Sequence, residues 1–290
     1  MKIDIEVIKE LRQITGAGIG DCKEALETCS GDVEKAKEYL REKGLSKAYK
    51  KSNRDTADGL VAVYTDGSKG AILKLGSETD FVARSEKFCA LSSGIVRRLC
   101  DYGAEDIEGF SKFSYSEGSG TSIVDEVVAA AAVLGENIVL SGIGFIKLDC
   151  KGVVGSYVHN SVNQGLGKAG ALVALESSSD SEEVVSFAKQ LAMHVVAAKP
   201  EALSEDALSA EAVERERAIV ARQVEALGKP DAVAQKIIDG RMKKFFEEMT
   251  LLDQVFILDG ATKVRDVVVQ KSQKLGCEVR IAGYRLLSIG

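Results

Sequence analysis

The chain has 290 residues, enough for two domains, and 45% of them are hydrophobic, enough to fill sizeable cores. Aromatics make up 6% and Trp is missing, so those cores must be mostly Ala, Val, Ile and Leu. A formal net charge of -6 opposes general affinity for a polyanion, which needs clustered Lys and Arg to displace counterions, and argues against nucleic acid as the main partner.

The first ten residues, MKIDIEVIKE, mix charged and apolar positions and do not read as a signal peptide. Three helices are expected next. Ile5, Ile8, Leu11 and Ile14 recur near helical spacing until Thr15-Gly16-Ala17-Gly18 interrupts them. Ile19, Cys22, Leu26 and Cys29 form a second stripe, ended by Ser30-Gly31. Asp32 can cap a third helix carrying Val33, Ala36 and Leu40, expected to stop at Lys43-Gly44. The polar stretch from Ser46 to Arg54 then reads as a linker with a basic bias.

From Gly59 the period changes to that of strands, and an internal repeat emerges. The run Gly59 to Tyr64 is echoed by Gly152 to Tyr157, and Gly70 to Leu75 by Gly170 to Leu175. Each second strand runs on to an aspartate, Asp80 or Asp180, and then to a helix. The helical stripes are Phe88, Leu91, Ile95, Leu99 in the first copy and Val184, Phe187, Leu191, Val195 in the second. Two strand-strand-helix units imply an α+β fold of two similar subdomains, each an antiparallel sheet with helices on one face.

A Gly/Ser-rich patch from Ser114 to Ser122 reads as a surface loop, and the apolar run Val127 to Leu134 is far too short to span a bilayer. Beyond Lys199-Pro200, two Ala/Glu/Arg-rich segments flank Gly228-Lys229-Pro230, the pattern of an antiparallel helical hairpin, a short coiled coil. Its expected seam is Ala212, Ile219 and Val224 against Val233 and Ile237. Val255 to Leu258 and Glu278 to Leu286 read as strands returning to the second sheet. The expected organisation is a three-helix module over residues 1–45, a linker over 46–56, and core subdomains over 57–142 and 143–290, the hairpin occupying about 200–248.

Little in this chain reads as catalytic chemistry. Six cysteines, Cys22, Cys29, Cys89, Cys100, Cys150 and Cys277, form no CxxC pair and have no His at ligand spacing. They read as reduced thiols of a cytoplasmic protein, with no metal site expected. Gly165 to Gly170 matches GxGxxG, but a strand-like run follows where a dinucleotide site needs a helix N-terminus. A hairpin loop and no cofactor are expected. His194 lies on an apolar helix, the setting of a structural histidine, and His159 follows a strand in a loop suited to surface recognition. Neither has a nucleophile or partner acid at informative spacing, so the chain is not expected to be an enzyme.

The pair Asp80-Phe81 allows two readings. Asp80 can be an N-cap with Phe81 folded back as a staple onto the sheet. In the second copy, however, Ser181 follows the aspartate, so the shared architecture can form without an aromatic there and Phe81 is free for another role.

Taken together, several segments resemble the family of bacterial translation elongation factor Ts. They are Glu10-Leu11-Arg12 through Gly18, Asp21 to Leu26, Gly31-Asp32, Ala57-Asp58-Gly59, Thr79-Asp80-Phe81-Val82-Ala83, Gly135-Glu136-Asn137-Ile138, Met193-His194-Val195 and Gly240 to Phe245. The resemblance runs in order over nearly the whole chain. It implies a guanine-nucleotide exchange factor for elongation factor Tu, with no cofactor, no direct nucleic acid and no membrane partner. The N-terminal helices, similar to ubiquitin-associated domains, would dock on the partner's GTPase domain, carrying Leu11, Ile19, Gly20 and Lys23 to it. Thr79, Asp80, Phe81 and Val82 would place Phe81 as a wedge beside the magnesium and phosphates, so that GDP leaves. His159 would touch another domain of the partner, and the hairpin would add contact, with a homodimer open because some members dimerise there. The chain departs from the pattern in Gly20 after Ile19, in Val139-Leu140-Ser141-Gly142 where basic residues are common, and in a longer Asn160 to Lys168 loop. A different binding module, whose N-terminal helices recognise a ubiquitin-like or nascent-chain partner, is the alternative reading.

Overall fold

Side-chain caps mark out the first helices. Asp4 accepts the N–H of Glu6 to open α1 (Ile5–Thr15), and Gly16, at φ +69°, closes it in the left-handed region that favours glycine. After α2 (Ile19–Thr28), Asp32 accepts the N–H of Lys35 and opens α3 (Val33–Lys51). The computed structural model describes every residue other than 1, 2, 117, 119 and 229, and at 45 and 47 the backbone alone. Lys229 of the hairpin turn, Glu117 and Ser119 of the expected surface loop, and the first two residues therefore lie outside the described residues.

The core shared by these helices is small: Ile8, Leu11, Cys22, Ala25, Leu26, Ala36 and Leu40. Ile5, Ile14 and Ile19, read as core stripe, are 65%, 54% and 57% exposed. The third helix does not stop at Lys43-Gly44 but runs to Lys51, so half of the expected linker is helical. The cause is tertiary. A Cβ at Gly44 would lie 2.9 Å from that of Ala132, so glycine lets α3 approach the helix beyond, and Ala48 is buried in the first main core. Packing outweighs the unfavourable helix propensity of one glycine.

Strands β1 (Asp58–Asp66) and β2 (Lys69–Ser77) form an antiparallel hairpin turning at Gly67. There follow α4 (Asp80–Ala83), α5 (Glu86–Tyr102), α6 (Ile107–Ser111), α7 (Ile123–Leu134) and β3 (Ile138–Lys147). The second half holds β4 (Gly152–His159), β5 (Leu166–Gly167), β6 (Ala169–Ser177), α8 (Glu182–Ala198), α9 (Ala210–Glu225), α10 (Asp231–Met249), α11 (Val264–Leu275) and β7 (Val279–Ser288). Two antiparallel sheets result, ordered β3-β2-β1-β5 and β4-β6-β7. This is a mixed α+β fold with helices at its N-terminus.

The period-two alternation of the strands sorts their side chains into layers. Leu60, Ala62, Ala71, Leu73 and Leu75 face α5 and α7. Ala171, Val173 and Leu175 face α8 and α11. The residues between them, Val61, Ile72, Val154, Leu172 and Ala174, meet across the two sheets in a third core. Helices, sheet, sheet and helices stack in four layers.

Several elements differ from expectation. Strand β3 crosses the 142/143 position and pairs with β2, and β5 crosses from the second half to pair with β1. The segment Val255 to Leu258 is not a strand: Val255 makes one isolated bridge to Lys263, and Phe256 turns into the second core. Four consecutive apolar residues imitate a strand there, but only Phe256 is buried, and Val255, Ile257 and Leu258 are exposed. In the hairpin, Val220, Val224 and Met242 form the buried seam with Ile237 against it. Val224 and Ile237 of the expected seam are therefore in place, whereas Ile219 and Val233 stand 41% and 44% exposed, because Val220, four residues before Val224, shares its face and Ile219 does not.

Glycine also sets the closest approach between helix and sheet. A Cβ at Gly155 of β4 would lie 2.5 Å from both the carbonyl carbon and the Cβ of Ala188 on α8, neither of which is a flexible chain end. Gly155→Ala is expected to destabilise the fold by about 1–3 kcal/mol, the usual cost of overpacking. Urea unfolding would show it as a lowered midpoint at unchanged slope.

Candidate functional site: the turn that carries Phe81

Between β2 and α5 the chain makes one isolated helical turn, α4, and its construction explains how Phe81 is held. Thr79, extended at φ -129°, is its N-cap, and the Thr79 Oγ1 accepts the N–H of Val82 at 3.4 Å. Asp80 is therefore the first helical residue and not the cap expected of it; a threonine one position earlier already supplies the oxygen. The Asp80 carboxylate still sits at the positive end of the turn, 3.8 Å from the guanidinium of Arg84. Ser85 ends the turn, donating its hydroxyl to the carbonyl of Val82 at 2.7 Å and capping α5 through the N–H of Phe88.

Within this turn Ala83 is fully buried and Val82 packs against the first core. Phe81 takes the opposite side and is 84% exposed. The staple reading is thus overturned. A single exposed apolar residue is ordinary on protein surfaces, but this one stands on a turn fixed by caps on both sides. The second half of the chain has no counterpart of α4: after β6, Ser181 precedes α8 directly, in the position that Ser85 holds before α5.

A network reaches the turn from elsewhere in the chain. Thr79 donates its N–H to Glu136 Oε2 at 3.0 Å and its hydroxyl to Oε1 at 2.6 Å. The Asn137 N–H donates to Glu78 at 2.8 Å, and Arg54 lies 3.2 Å from the other oxygen of that carboxylate. The Asn137 N–H, then the Arg54 guanidinium, hold the Glu78 carboxyl below its ordinary value against some desolvation. The Asn137 side-chain amide donates to the carbonyls of Ser52 and Arg54, and Lys51 donates to the carbonyl of Gly135. The α7–β3 turn thereby joins the end of α3 to the Phe81 turn. Glu136 and Asn137 had no chemical role from the sequence. The legible signal was Gly135 at a helix end followed by two polar residues capable of reaching back.

The other expected contact residues lie apart from this turn. Ile19, Gly20 and Lys23 are exposed on α2, Ile19 and Lys23 on one face, with Lys23 3.8 Å from Glu27. A Cβ at Gly20 would meet nothing within 4 Å, so that surface is open. Leu11 is fully buried in the helical core, which makes it a support for the α2 surface and not a contact itself. His159 is exposed at the end of β4, its Nδ1 3.4 Å from the Tyr157 hydroxyl.

His194 is buried as expected of a structural residue. The amide N–H of Ile257 donates to its Nδ1 at 3.3 Å, which leaves Nε2 as the donor to Gln254 Oε1 at 3.0 Å. Both ring nitrogens are satisfied in the neutral form alone. The glycines from Gly165 to Gly170 form a turn, the two-residue β5 and the start of β6, with Gly165 at φ +71° and a strand, not a helix, directly after them. Among the described residues, no group of three or more His, Cys, Asp or Glu could hold a metal ion, and no helix is long and apolar enough to cross a membrane.

A family model described as "Elongation factor TS" matches residues 78–290, a span that begins at the Phe81 turn. Curated relatives match over the whole chain and bear the name elongation factor Ts. One from Anaplasma phagocytophilum (strain HZ) is 72% identical over 289 residues, covering all of both chains. One from Anaplasma marginale (strain Florida) is 67% identical with the same coverage. Another, from Ehrlichia canis (strain Jake), is 54% identical over all of this chain and 99% of its own.

Burial pushes the His194 pKa below its ordinary 6.5. The unfolded chain therefore takes up a proton near pH 6.5 that the folded protein does not. Stability is expected to fall as pH drops from about 6.5 toward the folded value, by at most about 1.4 kcal/mol per pH unit, the limit for one proton. In His194→Gln this component of the slope should vanish, as read by urea midpoints across that pH range.

Proposed function

The chain belongs to the elongation factor Ts family, and from that premise we propose how it acts on its partner. As a member it is a nucleotide exchange factor for elongation factor Tu, a translation factor that performs no covalent chemistry of its own. In our reading Phe81 is the wedge that enters the partner beside its magnesium and phosphate site and loosens GDP. The observation that carries this is a phenylalanine 84% exposed on a turn braced by two hydroxyl caps, with Asp80 beside it.

The energetics suit the task. If the factor weakens GDP binding by some factor, GDP weakens the factor's binding equally, and couplings of this kind are typically about 1–3 kcal/mol. One aromatic inserted into a pocket can supply energy of that size. Because Phe81 contributes almost nothing to its own core, nearly all its burial energy remains to be spent on the partner.

Around this wedge we place the other contacts. The exposed face of α2, with Ile19, Gly20 and Lys23, docks on the GTPase domain as part of a module similar to ubiquitin-associated domains. His159, on the second of two repeated sheet-plus-helix units, reaches another domain of the partner. The hairpin of α9 and α10, inserted in that second unit, adds a further surface, and its exposed Ile219, Leu227 and Val233 suit contact with the partner or a second copy. The extension of α3 onto α7 counts against the N-terminal helices acting as a module detached from the core.

GDP release from labelled elongation factor Tu is expected to accelerate when the intact protein is added. Phe81→Ala should reduce the maximal acceleration by about tenfold or more, equivalent to about 1.4 kcal/mol, with unchanged unfolding. No acceleration by the intact protein would overturn the exchange reading; full acceleration by Phe81→Ala would overturn the wedge.

A further inference from the structure

An isolated helical turn of four residues has little stability of its own, because the first hydrogen bonds fix many dihedral angles for little return. The outward aim of Phe81 must then be imposed by contacts outside the turn. Inward-facing Ala83 and Val82 hold one side. At the N-terminal end Thr79 is held by the Ser77 hydroxyl, which donates to its carbonyl at 2.9 Å, and by Glu136, 57 residues away in sequence. Both oxygens of its carboxylate are occupied by one residue, Thr79, which is also the cap of the turn and lies two positions before Phe81.

We propose that Glu136 is a positioning residue for nucleotide exchange: its carboxylate, by accepting both the N–H and the hydroxyl of Thr79, fixes the cap from which Phe81 is presented. The proposal rests on the wedge reading of Phe81 and deepens it.

Three features favour a dedicated support. Glu136 is set by its own anchors, since Gly135 closes α7 in the left-handed region at φ +78° and Asn137 is held by the carbonyls of Ser52 and Arg54. Next, the two donors come from one residue, so a carboxylate that accepts both fixes the rotamer of Thr79 relative to its backbone as well as its distance. Finally, orienting Thr79 Oγ1 toward Glu136 leaves that oxygen's lone pairs for the Val82 N–H, so the clamp and the cap use one hydroxyl without competing. Loss of the carboxylate frees the Thr79 N–H and hydroxyl and leaves the Ser77 bond to its carbonyl, so the cap is loosened and Phe81 with it.

The test uses the full chain in five forms: unmodified, Glu136→Ala, Glu136→Gln, Phe81→Ala and the double variant of Glu136→Ala with Phe81→Ala. Hydrogen exchange at the Thr79 amide of the free protein reads the clamp without any partner. It is expected to quicken roughly tenfold in Glu136→Ala, with the urea midpoint of global unfolding little changed. The maximal rate of GDP release from elongation factor Tu should fall roughly threefold or more in Glu136→Ala, while the double variant should be no slower than Phe81→Ala, because a positioning residue has nothing left to position. Glu136→Gln, which keeps one acceptor oxygen, should recover part of the rate. Unchanged protection at Thr79, or losses from the two single alanine variants that multiply in the double variant, would overturn the proposal. Failure of the wedge reading would register separately, as undiminished exchange by Phe81→Ala.

Discussion

The constraint on which this structure depends is that β1, β2 and β6 are buried on both faces. One face of each must meet helices and the other must meet the opposite sheet, so neither sheet can be left open to solvent. Burial of both faces explains why these strands read as nearly unbroken apolar runs and not as alternating ones. It also explains the glycines of the contact layers. At Gly70 an added Cβ would lie 2.8 Å from a methyl of Val154, and at Gly170 3.0 Å from one of Val63, so the sheets sit as near as their backbones allow there. Functional groups are thereby left to the ends of strands and helices. Phe81 lies just beyond β2 and His159 at the end of β4, each on a framework that packing holds still.

Rigidity at those ends is what an exchange factor needs. A flexible aromatic would spend part of its binding energy on becoming ordered, and a residue buried in its own core would first have to leave it. Phe81 faces neither cost, since its turn is formed and its side chain lies outside. The absence of its equivalent in the second half supports this division of labour. β6 passes to α8 through Ser181, as α4 passes to α5 through Ser85, so the extra turn is an addition to a shared plan and not part of what the sheet requires.

Much of this plan was legible in the residues. The repeated Gly-led apolar runs gave both strand pairs, and the stripes of Phe88, Leu91, Ile95 and Leu99, and of Val184, Phe187, Leu191 and Val195, gave the helices covering them. What escaped was decided by contacts remote in sequence. Gly44 looked like a helix end because Ala132 could not be seen beside it, and α3 continues only because that contact exists. Strand β3 was missed because Gly142 and Gly144 thin its apolar pattern, yet those glycines admit Leu287 and Arg285 of β7. α7 announced itself in the box of Ser122 and Asp125, a local signal passed over beside its apolar run. At the Phe81 turn the cap was misplaced by one residue, since Thr79 and Asp80 are both good caps and only the backbone tells them apart.

The same remoteness explains why the network under Phe81 could not be read from its neighbours in sequence. Glu78, Thr79 and Arg54 are charged or polar residues in segments that already looked like turns, and nothing local distinguishes them from solvated ones. Their meaning comes from the Gly135-Glu136-Asn137 turn, which meets all three and also receives Lys51. Exposed ion pairs such as Arg54 with Glu78 contribute little stability alone. Their arrangement matters more than their strength, because the end of α3 and the turn that carries Phe81 share one anchor. In the proposed docking through α2, the partner meets a body in which the position of Phe81 is already fixed. Under that proposal the energy of docking acts on the nucleotide site without first being used to order the factor.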